Sequence, residues 1–319
     1  MSGVSTTLGS GNESWPSGGA SNALNDSIDG QDGNDTINGG SGNDTIIGGL
    51  GNDSLVGGNN TDWLDYSAET GNVTVTFNSR ATLAGGNDSL SGFEVLISGT
   101  GNDVLTGTTS AETIYAGAGS DSISASSGND WIEGGDQNDS LVGSGDSDTL
   151  LGGAGNDTVG EATNGADGRD SILGGDGADS LFSGSNDDIA YGGDGADTVN
   201  GSTGNDTIIE SIIDGADHDS LLGGAGNDSI IGAKGNDIIS GSSGADTILG
   251  GEGDDSIYEA TNSTDGADSL MGVMVRIPLP AVMSAQIRCL GGLERIAYWV
   301  ALAMTVSLKL MLMAPVMIP

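Results

Sequence analysis

The chain is short of most of what an ordinary globular domain is built from. It has one cysteine, Cys289, in 319 residues, which leaves no internal disulfide framework. Aromatic residues make up 4% of the chain, so a conventional aromatic-rich core is not available. Lys and Arg number 7 against 46 Asp and Glu. Phosphate binding needs basic side chains, so this balance argues against nucleic acid as a partner and for cations. A chain this acidic repels itself and stays unfolded unless counterions neutralise it. Residues 1–20 have neither a basic start nor an apolar run, and so carry no sign of a signal peptide. The one histidine, His218, sits between Asp217 and Asp219. With no H-E-x-x-H in the chain, it reads as a tolerated loop residue rather than a base or zinc ligand.

What is abundant is glycine, at 59 residues, and aspartate at a fixed step. Aspartate recurs every nine residues from Asp35 through Asp44 and Asp53 to Asp62. The rhythm returns at Asp103 and continues at Asp121, Asp130, Asp139, Asp148 and Asp157. It runs on through Asp170, Asp179, Asp188, Asp197 and Asp206, and then Asp219, Asp228, Asp237, Asp246 and Asp255, to Asp268. The unit reads G-G-x-G-x-D-x-U-x, with U being Ile, Leu or Val. Gly39-Gly40-Ser41-Gly42-Asn43-Asp44-Thr45-Ile46-Ile47 is a clean copy. Strict self-similarity at a fixed period marks a solenoid.

Each part of the unit has a physical role. Glycines let the backbone take left-handed turns and curl tightly. A tight curl turns carbonyl oxygens inward, and the aspartate adds a carboxylate, giving hard oxygen ligands suited to Ca²⁺. The last three residues form a short strand in which only U faces inward. Ile46, Leu55, Ile123, Ile132, Leu141, Leu150, Leu181 and Ile248 are therefore expected to stack in one narrow column. Burying one such residue contributes about 1.5–3 kcal/mol, whereas ordering each residue of the unit costs about 1–2 kcal/mol. Apolar burial alone does not hold such a unit, and cation binding is expected to supply the balance.

The chain divides into five stretches. Residues 1–24 carry no repeat and read as a flexible leader. Residues 25–65 form a first repeat block. Residues 66–98 interrupt it with the alternating Val73-Thr74-Val75-Thr76-Phe77 and the apolar run Phe93 to Ile97, expected to be strands that continue or cap the solenoid. Residues 99–271 resume the array. Within that block, the units from Asp157 to Asp170, Asp206 to Asp219 and Asp255 to Asp268 are four residues longer, and they begin with Glu161, Glu210 and Glu259. These recur every 49 residues, which is two and a half coils if two units make a coil, so successive insertions should emerge on opposite edges.

Residues 272–319 break the composition: one acid, four bases, three glycines, six of eight methionines and four of five prolines. A C-terminal membrane helix is one reading of this tail. However, the apolar run from Ile296 to Leu308 is 13 residues, short of the roughly 20 needed to span a bilayer. The other reading is a frameshift. Read from the third base of the Met271 codon, the back-translated tail permits another copy of the unit, with an aspartate at slot 277, nine after Asp268.

The tandem copies across residues 25–271 resemble the RTX, or haemolysin-type calcium-binding, family. The resemblance implies an all-β fold, a parallel β-roll solenoid in which two nonamers form one coil. It implies many Ca²⁺ ions, each between neighbouring turns on one edge and held by the motif aspartates named above and by glycine-loop carbonyls. Glu112 stands in an aspartate slot, Ala190 in a U slot, and the loop Gly107-Thr108-Thr109-Ser110 lacks its later glycines, so sites there depart from the pattern. Extracellular calcium modules bind at about 10⁻⁴–10⁻³ M, far above cytosolic calcium. The expectation is a non-enzymatic protein, disordered inside the cell, secreted by the type I route and folded outside it. Carboxylates repeated everywhere suit a binding lattice better than one unique active site. Two alternatives stand beside this reading: an accessory module of a secreted toxin or exoenzyme, and an extracellular adhesin that binds polysaccharide or a cell surface. Trp63 and Trp131 follow motif aspartates and are expected to face outward, where sugar stacking is an option.

Overall fold

The computed structural model describes residues 5–15, 24–161, 168–211, 217–258, 268–271 and 288–289. These residues form an all-β solenoid whose coils alternate between two facing 15-stranded sheets. The first sheet stacks Ser27–Asp29, Thr45–Ile47 and Trp63–Asp65, then Val95–Ile97, Thr113–Ala118 and so on to Ser269–Met271. The second sheet stacks the alternate units from Thr36–Ser41 to Ser256–Tyr258. Neighbouring rungs are parallel and in register, U on U, as in Ile132↔Leu150 and Leu150↔Ile172. No helix occurs among the described residues, and none is long and apolar enough to cross a membrane.

The glycines are where a close turn demands them. Gly177 has φ of 135°, and a Cβ placed on it would collide with the carbonyl of Gly155 in the preceding coil. Any side chain there would push the coils apart and strain the turn.

The core differs in one respect from the single column expected. Each sheet contributes its own column of U residues, and the two face each other in one continuous cluster. Ile46, Ile132, Leu150 and Ile248 come from the first sheet, and Leu55, Ile123, Leu141 and Leu181 from the second. All eight are buried. Consecutive units lie on opposite walls of the roll, so their inward residues meet from two sides.

The interrupting segment lies inside the stack and widens the core. Thr74–Thr76, Arg80–Thr82 and Asn87–Ser91 form an antiparallel meander inserted in the second sheet. Asn87–Ser91 pairs with Ser54–Asn59, and Thr74–Thr76 with Val104–Thr106. Val95–Ile97 continues the first sheet directly from Trp63–Asp65. The second sheet thus has more strands than the first over this stretch, and Tyr66, Phe77 and Phe93 fill the added space. Asn78, at φ 52°, makes the tight turn and exchanges two hydrogen bonds with the Phe93 backbone, at 2.8 and 3.1 Å.

The leader is corrected where it is described. Ser5–Thr7 and Ser14–Trp15 pair in parallel with Ser27–Asp29 and Thr36–Ile37, forming a first coil. Gly9-Ser10-Gly11-Asn12-Glu13-Ser14-Trp15 is a degenerate unit with Glu in the aspartate slot and Trp in the U slot. That divergence hid it from a search for aspartate.

The strands flanking the long units place the insertions on alternating edges, as the 49-residue period requires. The first follows Thr158–Gly160 of the second sheet, the next follows Thr207–Ile209 of the first, and the third follows Ser256–Tyr258 of the second. The insertions themselves and the tail lie outside the described residues, apart from Arg288–Cys289, which pairs with Ser269–Leu270. The frameshift reading therefore concerns residues beyond the described ones.

Candidate metal centre

Each motif aspartate directly precedes a strand, so the solenoid gathers them into one ladder on each edge. On one edge run Asp35 and Asp53, then Asp103, Asp121, Asp139, Asp157, Asp179, Asp197, Asp219, Asp237 and Asp255. On the other run Asp44 and Asp62, then Asp130, Asp148, Asp170, Asp188, Asp206, Asp228, Asp246 and Asp268. All are buried. In each ladder the backbone N–H of one aspartate donates to Oδ1 of its counterpart one coil on. Asp121 to Asp139 and Asp139 to Asp157 measure 2.8 Å, and Asp157 to Asp179 2.7 Å. Such hydrogen bonds to a charged group contribute about 1.5–3 kcal/mol each.

Oδ1 is thus used by the protein, while Oδ2 points inward. In Asp44, Asp53, Asp121, Asp139, Asp157, Asp179, Asp206, Asp228 and others, Oδ2 is buried with no hydrogen-bond partner. In Asp44, Asp139, Asp157, Asp179 and Asp228 it faces the first glycine of its own unit. A Cβ on Gly152 would meet both Asp157 Oδ2 and the Gly174 carbonyl, and one on Gly232 both Asp237 Oδ2 and the Gly250 carbonyl. Carboxylate and carbonyl oxygens from adjacent coils therefore converge where the glycine leaves room. Orphaned carboxylate oxygens beside carbonyls form a hard-oxygen donor set that fits Ca²⁺. The ion pair Arg169–Asp187, at 2.8 Å, is exposed and lies outside this donor set.

Burial of so many like charges shows in their acidity. Desolvation, then repulsion along the ladder, outweighs the backbone hydrogen bonds and pushes Asp121, Asp130 and Asp179 up to about 6. Asp139, Asp148 and Asp206 rise to about 7 for the same reasons.

Two positions differ from the rest. Asp103 has both oxygens occupied: Oδ1 accepts from Val73 N at 2.7 Å and Oδ2 from the Ser98 hydroxyl. Glu112 turns back on its own loop, where Thr108 donates its N–H at 3.0 Å and its hydroxyl. The longer side chain leaves the ladder, while the Glu112 N–H still donates to Asp130 Oδ1 at 2.8 Å and carries the ladder on.

Asp26, nine before Asp35 and on the count, belongs to the ladders as well, and the structure adds members that the count does not reach. Asp26 opens one ladder and Asp88 joins the other, Asp88 accepting from Asp53 N at 2.9 Å. Asp88 lies 35 residues after Asp53, off the nine-residue count, although Gly85-Gly86-Asn87-Asp88-Ser89-Leu90 spells the unit. Glu94 stands in for an aspartate to Asp62 N, at 2.9 Å. The asparagine before many motif aspartates builds a second ladder of opposite polarity, as in Asn52 N to Asn34 Oδ1 at 2.8 Å. His218 takes one of these slots, its Nδ1 accepting from Asn236 N at 2.9 Å.

The sequence model of the RTX calcium-binding nonapeptide repeat (4 copies) matches residues 21–55, 39–68, 88–123, 124–159, 164–190, 191–209, 209–239 and 231–258. The chain belongs to the RTX repeat family. The match beginning at residue 88 takes in the Asp88 unit, and successive matches cover the ladders on both edges. No curated protein matches the chain. Among solved structures, a hyperactive, Ca²⁺-dependent, β-helical antifreeze protein from an Antarctic bacterium is similar at 19% identity. That alignment covers 85% of this chain and 84% of the other, with a TM-score of 0.29. As an RTX repeat protein, the chain is a calcium binder, and the aspartate ladders are where its residues fit the ion.

Proposed function

We propose that this RTX chain is a secreted, non-catalytic protein whose fold is switched on by extracellular calcium. The observation that carries the reading is the pair of buried ladders, in which Oδ2 of residues such as Asp44, Asp121, Asp139 and Asp157 has no hydrogen-bond partner. Charges buried in this way oppose folding, and a bound divalent cation reverses the sign of that contribution. At cytosolic calcium the chain stays extended, which suits export in an unfolded state through a type I apparatus. At extracellular calcium, sites in the range of about 10⁻⁴–10⁻³ M fill and the roll closes. The test is circular dichroism of the full chain in EGTA and in millimolar Ca²⁺. Coil in the first and β-structure in the second is expected, and a spectrum unchanged by EGTA refutes the reading.

One observation favours adhesion as the extracellular role. Trp63 and Tyr115 stack on the outer face of the first sheet, with ring centroids 6.3 Å apart and planes at 16°, and Trp131 is exposed two rungs beyond Val95–Ile97. Flat aromatic faces of this kind suit pyranose rings. Binding of the folded chain to polysaccharides, lost in Trp131→Ala, tests it; equal binding by that variant removes the support.

A further inference from the structure

The long units place a glutamate where most regular units have their first glycine, and the structure shows where its carboxylate goes. Glu210 follows Thr207–Ile209 and reaches back one coil, into the space left by the missing side chain of Gly192. A Cβ on Gly192 would collide with both Glu210 carboxylate oxygens. There Glu210 meets two ladder aspartates from adjacent coils. One oxygen each of Asp197, Glu210 and Asp219 lies within 4.8 Å of the others. All three residues are buried, Glu210 to 2% exposure, and both its oxygens lack a hydrogen-bond partner.

The arrangement recurs 49 residues earlier on the opposite edge. Asp148, Glu161 and Asp170 form the same cluster, with oxygens again within 4.8 Å. Glu161 fills the space at Gly143, as Glu210 does at Gly192, and one of its oxygens accepts from Ser144 N at 2.5 Å. The sequence repeats the set once more as Gly241, Asp246, Glu259 and Asp268, with Glu259 outside the described residues.

We propose that each 13-residue unit builds a three-carboxylate calcium site, Asp148–Glu161–Asp170 and Asp197–Glu210–Asp219, that fills before the regular array. In a regular unit the first glycine offers its neighbour only a carbonyl oxygen. The glutamate adds a full negative charge at the same place, and ligand charge is what tunes calcium affinity upward. The regular spacing, one site every two and a half coils on alternating edges, would pin the roll at intervals and leave the array between to fill from fixed ends. This rests on the calcium-binding reading of the array.

The test is a Ca²⁺ titration of the full chain by isothermal calorimetry, beside the Glu161→Gln/Glu210→Gln/Glu259→Gln variant, which keeps side-chain size and removes the charge. The unsubstituted chain is expected to show a tight class, at least ten-fold stronger than the rest and amounting to one ion per long unit. In the variant that class is expected to vanish while array binding and the calcium-saturated β spectrum remain. A tight class of unchanged number and affinity in the variant overturns the proposal. So does a single class of sites in the unsubstituted chain, which decides the matter even if the variant does not fold. Absence of any calcium binding by the unsubstituted chain would instead refute the wider reading.

Discussion

Replacing Asp179 by Asn should have opposite effects with and without calcium. Oδ1 of Asp179 accepts from Asp157 N at 2.7 Å, and an asparagine oxygen can keep that bond. Oδ2 is buried without a partner, and it converges with the Gly192 carbonyl at the place a Cβ on Gly174 would take. An amide NH₂ in its place could donate to that carbonyl. Desolvation, with repulsion from Asp157 and Asp176, raises the Asp179 carboxyl from 3.8 to about 6 in the folded chain. Because the folded value lies above the unfolded one, the charge costs nothing below pH 3.8 and its full penalty applies above about pH 6. That shift corresponds to about 3 kcal/mol, which solvent screening at the edge reduces to about 1–2 kcal/mol. Without calcium, Asp179→Asn should therefore stabilise the fold by about 1–2 kcal/mol at neutral pH. With calcium it removes a charged ligand, and affinity at that site should fall on the order of ten-fold, about 1.4 kcal/mol. The assay is far-UV circular dichroism in two series. In EGTA, folding is driven by trimethylamine N-oxide, and the variant's midpoint should move to lower osmolyte. In a Ca²⁺ titration, its midpoint should move to higher calcium. Destabilisation in both series would show that the aspartate serves only as a structural hydrogen-bond acceptor, and would refute the reasoning.

In EGTA, acidification should mimic calcium. Asp139, Asp148 and Asp206 rise to about 7 in the folded chain, so β-structure should grow as the pH falls from about 7 toward 4; a chain that stays coil throughout would count against burial of these groups. Ile208→Ala in the first-sheet column, at full burial, should cost about 2–5 kcal/mol in calcium-saturated unfolding by urea, and a loss below about 1 kcal/mol would indicate a loosely packed column. Tyr66 donates to Asp88 Oδ2 at 2.7 Å in the widened core. Tyr66→Phe should leave that oxygen unsatisfied and cost about 1–3 kcal/mol in the same assay, whereas an unchanged midpoint would mean that a cation or water serves Asp88 instead.

The regular array could be read directly from the chain, because each of its constraints is local. A glycine at φ of 135°, an aspartate before a strand and one inward aliphatic residue are all properties of nine consecutive residues. Repetition turns them into a solenoid with little need for distant information. The alternating edges of the long units follow from counting alone. What escaped the count were the places where the unit degenerates, such as Glu13 with Trp15, or where spacing breaks, such as Asp88. There, pairing with a neighbouring coil supplies the register that the local residues no longer spell.

Composition and period by themselves determined that this chain is an acidic, glycine-turned solenoid with a repeated set of oxygen donors suited to cations, because each unit carries its own glycines and aspartate. Only the tertiary structure decided three further things. The inward residues face each other as two columns, because consecutive units lie on opposite walls. The segment around Phe77 and Phe93 is built into the stack as a meander, because its extra strands find open edges in the second sheet. Glu210 and Glu161 reach back one coil into space left by a glycine 18 residues earlier, a contact made by stacking and invisible along the chain. The period says which residues repeat; the stacking of coils says which of them come together.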